Sequence, residues 1–419
     1  MLKHKSVVLM SSTLVTAGIL AGLSAPAASA HAKKPALKPI TIAVASPFSG
    51  MESFIGPDTL NGVDVAVTQI NANGGVLGHK VQIVTADTVG DPVDAVPAVS
   101  QIIATAHPVA MIGPSSLTIT SVIRQLNQDK LVDMTIGGTT QLDHMKYKYI
   151  YRVTPSDSQM GVAMAYYGTQ IKHYKRAALL WGANASAQTL NNPVESTLKK
   201  HGVDVVSDMS IVPDQSAYRS EVERILAAKP DVIYTQLDPQ SGSTFFSELQ
   251  QLGGGNIPLI GDDVTASAQF AQAIGVSYAA KELVSVQPPA SASGPAAADY
   301  ARYYAHEFSG QQPIILSNNG YDAMNIIALA MIEAKSTNPT VYVKDIKNVA
   351  NGPGVPVYNF KQAEAAIKAH KKINYQGASG PEDFNKFHNV MGAAEADGFT
   401  SSGTLFKVVG ISPQDLFGY

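Results

Sequence analysis

The chain contains no cysteine, which excludes disulfides, thiol catalysis and thiolate metal sites together. Charge is sparse and nearly balanced. Charged residues make up 15% of the sequence and the net charge is −3, so there is no basic footprint for nucleic acid or an anionic membrane. Ten histidines are scattered without a ligand-spaced pair, and no metal site is expected. Enzyme signatures are missing too: no G-x-S-x-G elbow, no H-E-x-x-H, no phosphate-binding Walker loop and no G-x-G-x-x-G after a strand. Beyond the N-terminus there is no long hydrophobic run. What is present is a globular composition, with 45% hydrophobic residues over 419 positions, enough for two domains with well-formed cores.

The first thirty residues read as a secretory signal. Lys3, His4 and Lys5 form a positive n-region, and Val7 to Leu23 is mildly apolar but interrupted by Ser11, Ser12, Thr13 and Thr16. "APAASAHA" then offers small residues for cleavage after Ala30 or Ala32. A membrane anchor is the competing reading, but the stretch is short and polar-flecked against the ~20 apolar residues a span needs. "LAGL" has the look of a bacterial lipoprotein box, yet Leu23 stands where the lipidated cysteine would be. Residues 31–39 are expected to be a disordered leader.

From Ile40 onward, short apolar runs alternate with helical patterns. "ITIAVA", "KVQIVTAD", "PVAMIG", "KRAALLWG" and "DVIYTQL" read as strands. Between them lie segments such as "TLNGVDVAVTQINANGG", with Leu60, Val63, Val67 and Ile70 on one helical face. Strands alternating with ten- to fifteen-residue helices argue for βαβ units and mainly parallel sheets. Two such series predict an α/β fold of two lobes. Extended stretches rich in Pro, Gly and Ser mark joins near Arg152–Ser158, Ser285–Pro295 and Ile373–Pro381. The expected division is 40–154 with 288–372 for one lobe, and 155–287 with 373–419 for the other.

Ligands of open α/β sheets sit outside the carboxyl ends of the strands, and the strand-end loops here are rich in Gly, Ser, Thr and Asp. Ser115 or Ser116 is expected to cap a helix beginning near Leu117, where free amides and the helix dipole also suit an anion. Gly137 and Gly138, followed by Thr139, would let a ligand approach backbone amides, though turns use the same residues. Asp262-Asp263 could hold a metal, serve acid–base chemistry or meet an ammonium; without a histidine cluster the metal is disfavoured. Trp181, the only tryptophan, fits a core position as well as a ligand platform.

"ITIAVASPFSG", "NGVDVAVTQINANGGVLGHKVQIVTADTVGDPVDAV", "GPSS", "GGTT", "YRVTPSDSQMG", "YDA" and "INYQGASGP" occur in that order. Together they resemble the type I periplasmic substrate-binding proteins of branched-chain amino acid ABC transporters. The resemblance implies two Rossmann-like lobes joined by three hinge crossings and closing over a small ligand, with no cofactor. It places the ligand carboxylate on Ser116 with Ser115 beside it, backbone and hydroxyl partners on Gly137 and Thr139, and the ligand ammonium on Asp263. A second-lobe aromatic is replaced by Ser186 with Ala187, another falls near Asp238 and Pro239, and the first-loop aromatic falls near Ile55 with Phe54 adjacent. The implied ligand is an amino acid, branched-chain or other, or an aromatic carboxylate or amide. The implied partner is a membrane permease; the implied state is a monomer in the periplasm, or else secreted. A ligand sensor on the same fold and, more remotely, an exported hydrolase are the alternatives.

Overall fold

The structure is a computed structural model that describes residues 37–50, 52–289, 294–416 and 419. The signal-peptide reading and most of the leader lie outside these residues. Among the described residues no helix is long and apolar enough to cross a membrane.

The first lobe is built on β1 (Ile40–Ser46), β2 (Val81–Asp87), β3 (Ala110–Ile112), β4 (Val132–Thr135) and β5 (Ile150–Arg152), all parallel in the order β2-β1-β3-β4-β5. The near-continuous apolar run of β1 follows from burial on both faces. Ile40, Ile42 and Val44 enter one core layer while Ala43 and Ala45 enter the opposite one. The second lobe repeats the plan with β6 (Arg176–Gly182), β7 (Asp204–Ile211), β8 (Val232–Gln236), β9 (Leu259–Gly261) and β10 (Leu283–Gln287). A small parallel pair, β11 (Val355–Val357) and β12 (Ile373–Tyr375), packs on the first lobe. Strands β13 (Ala394–Phe399) and β14 (Leu405–Ile411) then extend the second sheet antiparallel, giving β14-β13-β10-β9-β8-β6-β7.

Helix Ser317–Ala334 is buried along nearly its whole length and lies against helix Ile55–Ala72 in the first lobe's core. Their close approach rests on small residues. A Cβ added at Gly62 would stand 1.7 Å from the Ser317 carbonyl oxygen. The start of the buried helix also ties down two of the chain's passages between lobes. Asn319 Nδ2 donates to the Val153 carbonyl at 2.6 Å, and Asn318 Nδ2 donates to the Pro289 carbonyl at 2.9 Å.

The third passage differs from the sequence expectation. "INYQGASGP" was expected to lead into the second lobe, but Ile373, Tyr375, Ala378, Phe384 and Val390 all belong to the first lobe's core. Its glycines and serine form a turn wrapped around one buried carboxylate, not a linker. Asp322 accepts from the Tyr375 hydroxyl (2.8 Å), the Ala378 amide (2.9 Å), and the amide and hydroxyl of Ser379 (both 2.7 Å). Asn389 still pairs beside Arg152, and the chain enters the second lobe only at β13. Residues 373–390 are therefore first-lobe structure.

Candidate ligand-binding cleft

The carboxyl ends of β3 and β4 in one lobe face those of β8 and β9 in the other, and a cavity lies between them. The first lobe supplies Glu52, Ser115, Ser116 and Gly138. The second supplies Asp157, Ser186, Gln236, Asp262 and Asp263. Ile55, Ile136, Met160 and Leu190 form apolar wall, and Pro155 and Pro288 from the passages between lobes complete it.

The serine pair at the end of β3 does not act as a side-chain cap. The helix begins at Ile119, two residues later than expected, and has no side-chain cap bond. Instead the Ser115 carbonyl accepts from the amides of Thr118 (3.1 Å) and Ile119 (2.9 Å). That turn frees both hydroxyls. Ser116 Oγ accepts from the Gly138 amide at 2.8 Å, bridging two strand-end loops, and its own O–H remains to donate. Ser115 is 1% exposed and its Oγ has no partner among the described residues. Nor does any described group accept from the amides of Ser116 and Leu117. Ser115 and Ser116 thus bring two hydroxyls able to donate to the cavity, where an anion would sit.

The opposite side is acidic. Asp262 is 3% exposed and hydrogen-bonds to Asp263. Burial, then the neighbouring charge, pushes Asp262 well above the usual carboxylate range, and burial raises Asp263 as well. Asp263 is held in place by the Val264 amide, which donates to its Oδ1 at 2.9 Å. Glu52 adopts a left-handed backbone (φ 59°) and hydrogen-bonds with Ser186 of the second lobe. Burial first, then the charge of Asp263, pushes it up to about 8. Asp157 rises to about 7, by burial first and then the charge of Asp263, against the opposing bond from Thr189. Among the described residues no lysine, arginine or histidine lines the cavity. Arg152, whose charge reaches Asp157, is engaged by Asp143 at 2.7 Å and by the Gly138 and Thr139 carbonyls at 2.9 and 3.1 Å.

Of the residues expected from sequence, Ser115, Ser116, Gly138, Ser186 and Asp263 come together around this cavity. Gly138 has a packing reason to be glycine, since a Cβ there would stand 2.0 Å from Asp157 Oδ1. The others lie elsewhere. The Gly137 amide donates to Thr135 Oγ1 at 3.0 Å and is not free for a ligand. Thr139 is 2% exposed, and its hydroxyl accepts from the Gln141 amide at the start of a short 3₁₀ turn. Trp181 alternates along β6 with Ala177 and Leu179 into the second lobe's core and is fully buried there. Phe54 lines a neighbouring cavity beside Asp58, Ile314 and Phe406, and also the cavity that adjoins the first at Glu52 and Gln236. Sequence reasoning missed Glu52, Asp157 and Gln236. Gln236 ends β8 and was reachable from the strand-end rule; Glu52 and Asp157 gave no local signal.

A family model described as periplasmic binding protein matches residues 39–394. The Leu/Ile/Val-binding protein BraC3 of Rhizobium johnstonii is 27% identical over 57% of this chain and 65% of its own length. The match therefore spans just under two thirds of that relative. The chemotactic signal transduction system substrate-binding protein BasB of Halobacterium salinarum is 25% identical, with 83% of each chain covered. Among solved structures, the leucine-binding protein LivK of Thermotoga maritima superposes with a TM-score of 0.76 at 20% identity, covering 90% of this chain and 99% of its own. With this fold, and a family match over most of its length, the chain belongs to the type I periplasmic binding proteins.

Proposed function

We propose that the protein is an extracytoplasmic solute-binding protein of an ABC importer, closing over a small amino acid and delivering it to a membrane permease. The observation that carries this reading is the polarity of the cleft. The hydroxyl-bearing residues Ser115 and Ser116 of the first lobe line the same cavity as the Asp262–Asp263 carboxyls of the second. That is the complement of a zwitterion, with the carboxylate on one lobe and the ammonium on the other. A ligand touching both lobes shifts the open–closed balance by its contacts with the closed form. The names of BraC3 and LivK, which bind leucine-type amino acids, support the class.

The protein acts as a binder and not as a hydrolase. A Ser–His or Cys–His pair needs a base within hydrogen-bond reach of the nucleophile, and the cavity lining contains no histidine. A sensor role on the same fold is the second reading, favoured by the even coverage of BasB.

Thermal shift against amino acids, aromatic acids, amides and sugars tests the proposal. A ligand at about 100 times its Kd adds ~2.7 kcal/mol, or about 3 °C for a chain of this size. Stabilisation by α-amino acids and not by their des-amino analogues is the expected result. Stabilisation by sugars alone would overturn it.

A further inference from the structure

A monoamino zwitterion needs one carboxylate opposite its ammonium, and this cavity contains more. Building on the amino-acid reading above, we infer that the ligand is a diamino acid of the lysine or ornithine type, its second ammonium held by Glu52, Asp157 and Gln236.

The Ser115–Ser116 end takes the ligand carboxylate. Asp262 and Asp263 hydrogen-bond to each other in the second lobe's wall of the cavity, and this pair meets the α-ammonium. Glu52 and Asp157 remain. They come from opposite lobes and line the same cavity; Arg152 reaches Asp157 only at a distance, its guanidinium being engaged by Asp143 and two carbonyls.

A second observation is independent of the carboxyls. Gln236 is 4% exposed; its Nε2 donates to Ser186 Oγ at 3.2 Å, yet its Oε1 has no partner among the described residues. A buried acceptor left unpaired is costly. A group that satisfies it must be a donor, and an ammonium presents three.

The lining favours an organic cation. Among the described residues no three His, Cys, Asp or Glu side chains converge as a metal site. Two ammonium groups joined by a methylene chain bring two positive charges to the four carboxyls of this cavity, while Met160, Leu190 and Ile55 offer apolar wall to the chain. A second cavity continues from the first at Glu52, Gln236 and Val264 and leaves room on that side for a longer side chain. In the closed cleft, burial raises Glu52 to about 8 and Asp157 to about 7, so that both bind protons near neutral pH when no ligand is between the lobes. The second ammonium takes over that role, and the displaced protons go to solvent.

The test compares L-lysine and L-ornithine with L-norleucine, which keeps lysine's carbon chain but lacks its amine, by titration calorimetry on the purified protein. Lysine or ornithine is expected to bind at least about tenfold tighter than norleucine, a modest return for pairing a buried charge. Glu52→Gln is expected to bring that ratio close to unity. The wild-type comparison stands alone if the variant does not fold. Norleucine or leucine binding as tightly as lysine would overturn the inference and leave the amino-acid reading intact. Failure of every α-amino acid, with binding of some other solute, would overturn both.

Discussion

Glu52→Gln should change how the ligand-free protein responds to pH, in a direction fixed by the cleft. The glutamine keeps the shape and can keep the contact with Ser186, but it cannot ionise. In the wild type the Glu52 carboxyl titrates at about 8 when folded and near 4.5 when unfolded. The folded state therefore holds the proton more tightly. Its stability contribution is fully present below about pH 4.5, declines as pH rises through the interval, and is gone above about 8. At about 1.36 kcal/mol per pH decade, the whole interval amounts to an upper figure on the order of 5 kcal/mol, or about 6 °C in Tm. Opening of the lobes lets water reach the carboxylate, so the observed loss is the smaller of this figure and the free energy of opening. Thermal melts from pH 5 to 9 in one ionic strength measure it. The wild-type midpoint should fall across that range and the variant's should fall by several degrees less. Parallel curves would refute the argument that Glu52 is held neutral by burial and by Asp263.

Asp263→Ala should weaken α-amino acid binding by ~2–5 kcal/mol, because it leaves an ammonium unpaired in a closed site; equal loss for a des-amino analogue in calorimetry would contradict the assigned role. Gly138→Ala forces a Cβ to within 2.0 Å of Asp157 Oδ1, so ligand-induced thermal stabilisation should vanish while circular dichroism still reports a folded chain. Trp181→Phe removes volume from the second lobe's core and should lower Tm with a cost of about 1–3 kcal/mol, with the ligand Kd unchanged; a large change in Kd would restore the platform reading. Ligand binding measured in buffers of different ionisation enthalpy should show net proton release near pH 7 for lysine and less for norleucine, since only the second ammonium displaces protons from Glu52 and Asp157.

The sequence made the frame legible wherever one physical constraint dominated. β1 reads as a strand because Ile40, Ile42 and Val44 fill one core layer and Ala43 and Ala45 the other, and a strand buried on both faces is mostly apolar. The passages between lobes were harder, since a linker and a satisfied turn draw on the same residues. "INYQGASGP" reads as a boundary, and nothing local distinguishes it from one. What decides its place is Asp322, fifty or more residues away, whose carboxylate collects the amides of Ala378 and Ser379. The cleft divides in the same way. Ser116 and Asp263 lie at strand ends, where topology alone puts ligand contacts, and both reach the cavity. Thr139 lies equally close to a strand end but is not among the residues lining the cavity, its hydroxyl sitting instead at the start of a 3₁₀ turn. Glu52 and Asp157 went unnoticed for the converse reason. Isolated acidic residues in a loop and at a helix start are ordinary surface features until two lobes close around them. Their chemistry belongs to the closed form: burial and the charge of Asp263 set it, and neither is written in the neighbouring residues. Site residues fixed by one lobe's topology can thus be read from sequence, while those defined by the meeting of lobes require the structure. In a protein that works by closing, the second group is where ligand preference resides.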